Sequence, residues 1–198
     1  MKVKHIEVYK FDELEESAKD RALDKLYDIN TNGDFWYECT IDDAKEIGKL
    51  IGIDITNIYF SGFSSQGDGA CFEGHYSYQK GGYKALKDYA PQDTELHRIA
   101  LELQTLQRKR FYKVLCSVKH SGHYSHKYCT EIKVYNSQYE SEWVDAKTKE
   151  EFSEVLRDFM EWIYLQLKKE YEYQTSKEAI IEAINANEYD FTVNGNLY

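Results

Sequence analysis

The sequence predicts an α+β fold: an antiparallel sheet built from two hairpins plus an N-terminal strand, with helices packed on one face. Three observations carry that expectation. Paired runs rich in aromatic and β-branched residues flank glycine-bearing turns, "DITNIYFSGF" with "ACFEGHYSYQ" and "FYKVLCSVKH" with "HKYCTEIKVYN". Other segments repeat apolar residues every three or four positions behind capping signatures. The resulting order, β-α-α-β-β-α-β-β-α-α, pairs strands through hairpins rather than parallel crossovers. A length of 198 residues predicts one domain over 1–198, with a single sizeable core.

Taken in order, "VKHIEVYKF" alternates loosely and suits the first strand. Asp12, with Glu15 three residues on, is an acidic capping box for a helix whose Leu14, Ala18, Ala22 and Leu26 share a side. "NTNGD" ends it with turn chemistry. Thr40 to Asp43 opens a second helix carrying Ala44, Ile47, Leu50 and Ile51, closed by Gly52. After the first hairpin, Pro91 and Asp93 start "TELHRIALELQTLQRK", with Ile99, Leu103 and Leu106 inward. After the second, Thr148 and Glu151 form a capping box ahead of the apolar stripe Phe152, Val155, Leu156, Phe159, Ile163 and Leu167. Thr175 and Glu178 repeat that signature for a last short helix, "SKEAIIEAINAN".

Composition narrows the class of function. Hydrophobic residues at 42% and charged residues at 30% are globular values, and 18 tyrosines supply apolar bulk whose hydroxyls must reach water or a partner. A net charge of −10 disfavours generic attraction to nucleic acid or anionic membrane. From His97 to Lys133, however, eight bases face two acids, a net of +6 that leaves −16 on the remainder. Cys39, Cys71, Cys116 and Cys129 form no CxxC pair, the start has no apolar signal region, and no apolar run is long enough to span a bilayer. A cytoplasmic protein with reduced thiols and no membrane partner is expected.

Two turns hold the candidate binding residues. In "SGFSSQGDGACFEG", Gly67, Asp68 and Gly69 suit a hairpin turn, which leaves the polar Ser64 and Gln66 unexplained by turn geometry. Backbone N–H groups of such a turn can also form an anion-binding concavity. In "HSGHYSHKYC", His120, His123, His126 and Cys129 recur every three residues. If His120 and His126 faced each other across the turn, their Cβ atoms would lie ~5 Å apart. Cys129, an odd number of residues past His126, is expected on the opposite face of a regular strand. Two histidines fall short of a zinc ligand set, so neither metal nor cofactor is expected. No nucleophile motif frames a serine or cysteine, and Cys71 and His75 sit ~13 Å apart along a strand. No catalytic residue is therefore assigned. Binding is assigned to Ser64, Gln66, Asp68, Glu73, Lys119, His120, His123 and His126.

On "YFSGFSSQGDGACFEG", "VYKFDELEESAKDRAL" and "KHSGHYSHKYC" the chain resembles a family of small phage- and prophage-encoded proteins, some labelled antitoxin-like, over Val8 to about Tyr189. The resemblance implies a mobile-element origin and brings no catalytic residues. The function expected is that of an acidic, non-enzymatic binder or inhibitor of a host or phage protein, antitoxin-like or acting in counter-defence. The alternative is a nucleotide or short nucleic acid held where the 64–69 loop approaches the 120–126 loop. Cations interleaved with aromatics at Arg108 to Tyr112 and Lys119 to Tyr128 suit such a ligand. A metal-assisted hydrolase ranks third, and self-association of the basic hairpin with acidic helices gives a homo-oligomer.

Overall fold

The structure is a computed structural model and describes residues 6–136 and 144–198. Among them the order is α1 (Glu16–Lys25), α2 (Phe35–Ile51), β1 (Ile53–Ser61), β2 (Gly69–Tyr76), α3 (Gly82–Tyr89), α4 (Thr94–Lys109), β3 (Val114–His120), β4 (Thr130–Asn136), α5 (Ala146–Gln174) and α6 (Lys177–Ala186). The chain divides into two compact units, Met1–Cys39 with Lys169–Tyr198, and Thr40–Lys168. No helix among the described residues is long and apolar enough to cross a membrane.

Cross-strand register explains the sheet of the Thr40–Lys168 unit. The strands pair antiparallel in the order β1-β2-β3-β4, which is two hairpins side by side. One row across the sheet reads Ile53, Tyr76, Cys116, Val134, and all four are buried. The adjacent row reads Asp54, His75, Ser117, Lys133, polar residues of which all but Ser117 are exposed. Period-2 alternation thus gives one dry face and one wet face. Residues from α5 pack on the dry face: Phe72 meets Phe159 edge-on at 6.1 Å between ring centroids, and Tyr76 lies 6.0 Å from Phe152. A bulge between Ile55 and Asn57 reverses the alternation in β1, so that Ile58 and Phe60 pair with Phe72 and Ala70.

The other unit is held by Phe11, Leu14, Ala18, Ala22, Leu23, Ile180, Ile184 and Phe191, with Phe11 and Phe191 rings 6.1 Å apart. Its first described residues correct the expectation of an N-terminal strand. Tyr9 makes only an isolated bridge to Phe191 near the C-terminus, and Phe11–Glu13 is already a 3₁₀ turn. Val3 and His5 of the expected strand lie outside the described residues.

Several helix starts are also corrected. Asp12 caps nothing, because Glu13 instead accepts the Lys10 N–H at 2.7 Å, and α1 begins at Glu16. Helix α2 begins at Phe35, so Thr40 lies inside it. The cap of α5 is Asp145, whose carboxylate accepts the Thr148 N–H at 3.0 Å. Ser176 caps α6 by accepting from the Ala179 N–H, whereas the Thr175 hydroxyl donates back to the Tyr171 carbonyl. Helix α3, not expected at all, starts behind Gly81 at φ +82°.

Candidate functional site

At the far end of the sheet the two hairpin loops meet. A Cβ placed on Gly69 would lie 2.6 Å from His126 Cβ, and one on Gly67 would touch the Tyr124 ring at 3.9 Å. Gly69 is therefore required by close approach of the second loop, a reason beyond turn formation. The residues named from sequence on both loops do share one end of the sheet.

The first loop is closed by its own aspartate. Asp68 accepts the Ser64 and Ser65 N–H groups at 2.9 and 2.6 Å, the local turn that aspartate favours. Its charge is thereby spent inside the loop, as is the Ser64 amide. Gln66 is exposed at the tip. Phe63 anchors the loop by stacking on Tyr164 of α5, with centroids 5.6 Å apart at 19°.

Glu73 stands at a fork. The β2–β3 ladder ends at the Gly74–Val118 pair, and beyond it the strands part to admit the second loop. The His120 N–H, left without a ladder carbonyl, donates to Glu73 Oε1 at 3.1 Å. Oε2 accepts from the Tyr59 hydroxyl at 2.9 Å and from Asn57 Nδ2 at 3.4 Å. Three donors hold this carboxyl below its usual pKa, led by the Tyr59 hydroxyl, and the same bond pushes the Tyr59 phenol up. Glu73 is thus a fixed acceptor, poorly suited to give a proton. The His120 ring stacks on Tyr59 at 4.6 Å, and its Nε2–H donates to the Tyr124 carbonyl at 2.9 Å.

The second loop corrects one geometric expectation. Residues 126–129 are a turn rather than a strand, because β4 begins at Thr130 and the Cys129 N–H donates to the His126 carbonyl. Cys129 Sγ therefore lies 3.4 Å from His126 Nε2 instead of on the opposite face. The register partner of His120 is Thr130, so His120 and His126 do not face each other as a ligand pair. His126 Nδ1 accepts the Tyr128 N–H at 3.2 Å, which places the ring proton on Nε2, pointing at the sulfur. A nitrogen that already carries the proton cannot withdraw one from the thiol, so this contact is no general-base dyad. Cys71 is buried, and desolvation pushes its thiol up to about 12. No group of three or more His, Cys, Asp and Glu among the described residues is arranged to hold a metal.

Aromatic rings also face solvent here. Tyr124 and Tyr128 are 59% and 63% exposed, with His123 edge-on to Tyr124. Arg157 and Lys127 stand over the Tyr128 ring at 5.4 and 5.6 Å, tied to Glu154 and Glu161 respectively. Lys119 is exposed and pairs in register with Glu131, away from the dry face. Sequence reasoning missed Tyr59, whose face depends on the bulge. It also missed the Tyr128–Arg157 stack, which joins residues far apart in the chain.

Fold and site together describe an α+β domain with two joined loops and exposed tyrosines at one sheet end. The domain of unknown function DUF8835 matches residues 36–177, and the chain belongs to that family. The match covers the sheet and both loops, and it is narrower than the resemblance over Val8 to Tyr189. It carries no phage or antitoxin link. Comparison with curated proteins and with solved structures found no match.

Proposed function

We propose that the protein is a non-enzymatic binding module that engages a protein partner through the joined loops at 62–68 and 120–129. The observation that supports it is the combination of internally hydrogen-bonded carboxylates, Asp68 and Glu73, with outward-facing rings. Asp68 and Glu73 are consumed by internal hydrogen bonds, and the His126 proton points at Cys129. Tyr124 and Tyr128, by contrast, present rigid amphipathic rings to solvent beside Arg157. Tyrosine and arginine are the residues that dominate protein interfaces, because they add contact area at small conformational cost. A nucleotide or nucleic acid on the same loops would meet the same rings, but the cations over Tyr128, Arg157 and Lys127, are already paired with Glu154 and Glu161, which weakens their attraction for phosphate.

A host or phage protein as the partner, with an antitoxin-like or counter-defence role, belongs to this proposal and rests on the sequence resemblance alone. The test is affinity capture from lysate of the source cells, comparing the wild type with a Tyr124→Ala, Tyr128→Ala double variant. The reading expects one stoichiometric protein on the wild type and at least about tenfold less on the variant, as when two interface anchors are truncated. Equal capture by both proteins, or none by either, contradicts it.

A further inference from the structure

We infer that His126 is a proton-operated latch: its neutral ring fixes the turn that presents Tyr128, and its protonated ring releases that turn. This deepens the binding role proposed above, and the consequence for a partner rests on that reading. The ring stands between the two exposed tyrosines, 6.3 Å from the Tyr124 ring at 18° and 6.2 Å from the Tyr128 ring at 67°. Its backbone is held from two sides. Gly69 leaves room for His126 Cα and Cβ, and the His126 carbonyl accepts the Cys129 N–H at 2.8 Å.

The two ring nitrogens play opposite parts. Nδ1 accepts the Tyr128 N–H at 3.2 Å, whereas Nε2 carries the proton and faces Cys129 Sγ at 3.4 Å. A further proton can go only to Nδ1. Imidazolium has two donors and no acceptor, so Nδ1–H would oppose the Tyr128 N–H while the contact to sulfur survives. His120 and His97 differ in this respect. Each Nε2 faces a carbonyl at 2.9 Å, of Tyr124 and Ala90, which obliges the ring to donate. A donor ring keeps its bond when protonated; the acceptor nitrogen of His126 loses it.

Other titratable groups approach the ring from each neighbouring element. On the second loop and α5, Lys127 is paired with Glu161 and Arg157 with Glu154. On the first loop and β2, Asp68 and Glu73 accept N–H and O–H donors. The thiols are the partly exposed Cys129 and the buried Cys71. His123 lies beyond Tyr124, edge-on to its ring. These groups set the pH at which the His126 ring changes charge, but not which bond breaks. Imidazole is the side chain that ordinarily changes charge between about pH 5 and 8. Under the binding role, acid would free Tyr128 from its fixed position and release the partner.

The test is nuclear magnetic resonance of the full chain from about pH 8 to about pH 5, for the wild type, His126→Asn and His123→Ala. At the upper end, the ring-nitrogen shifts of wild-type His126 should place the proton on Nε2. As pH falls, the Tyr128 amide proton should move upfield in step with the His126 ring. Asparagine sets an oxygen near the place of Nδ1 and does not titrate, so His126→Asn should hold the Tyr128 amide steady. His123→Ala should behave as the wild type does. The latch is overturned by a neutral ring protonated on Nδ1, by a Tyr128 amide that ignores the His126 titration, by a His126→Asn amide that still follows pH, or by loss of the response in His123→Ala. The wild-type shifts alone decide it if a variant does not fold. They need no partner, so the latch can fail without the binding role, and the binding role without the latch. The consequence is read by affinity capture from lysate at about pH 7.5 and about pH 5.5. Wild type should recover about tenfold less partner at the lower pH, as when one interface anchor is lost, and His126→Asn equal amounts at both. Equal recovery by the wild type contradicts release by acid, and no recovery at either pH contradicts the binding role itself.

Discussion

Glu73 shows how one carboxylate can close a gap that the backbone leaves open. In a regular ladder the His120 N–H would meet a carbonyl on β2; here the strands have separated and the side chain substitutes. Because donors favour the ionised form, the folded pKa lies below the unfolded one, near 4.3 for glutamate. Between those two values the unfolded chain binds more protons, so stability rises with pH there. The contribution is complete above about pH 4.3 and fades as pH falls through the lower folded value. A Glu73→Gln variant should therefore show a flatter acid-side slope of melting temperature against pH, measured by calorimetric scans. An unchanged slope would mean that Glu73 is solvated like any surface carboxylate.

Elements explain why the two loops act as one. The β1–β2 turn and the β3–β4 turn are separated by more than fifty residues of sequence, yet the open fork between β2 and β3 lets the second loop settle against Gly69. Gly69→Ala should destabilise by about 1–3 kcal/mol, the range for forcing extra volume into a packed contact. Denaturant unfolding measures it, and a change below about 0.5 kcal/mol, typical of a plain surface position, would show the loops to be independent. Much at this scale was legible in the sequence. Helix α4 occupies the residues read from it, because Asp93 accepts the Leu96 N–H as a cap and the apolar spacing is regular. Both hairpins were visible in their aromatic runs. Helix α3 was not, being eight residues that begin at Gly82 behind Gly81, with no capping side chain. The N-terminal segment was misread because its alternation is used in one bridge to Phe191, a partner at the other end of the chain. The bulge in β1 and the turn at 126–129 hid from sequence for the same reason: each depends on a neighbouring strand's register.

For the molecule as a whole, charge read along the chain differs from charge in space. The window from His97 to Lys133 carries +6, but its bases reach carboxylates inside and outside it. Arg98 bonds Glu95, Glu102 and Asp158; Arg110 bonds Asp145; Lys127 bonds Glu161; Lys133 bonds Glu131. Such exposed pairs contribute little stability. Their effect is to shorten the range of the positive field, so that in the binding role proposed for the loop end shape and aromatic contact would carry recognition.

The most direct measurement is amide hydrogen exchange of the full chain, alone and saturated with its captured partner. Slowed exchange concentrated in 62–68 and 120–129, with α1 and α6 unchanged, is the result the joined-loop surface predicts. Slowing confined to other segments, with both loops exchanging as in the free protein, would contradict it.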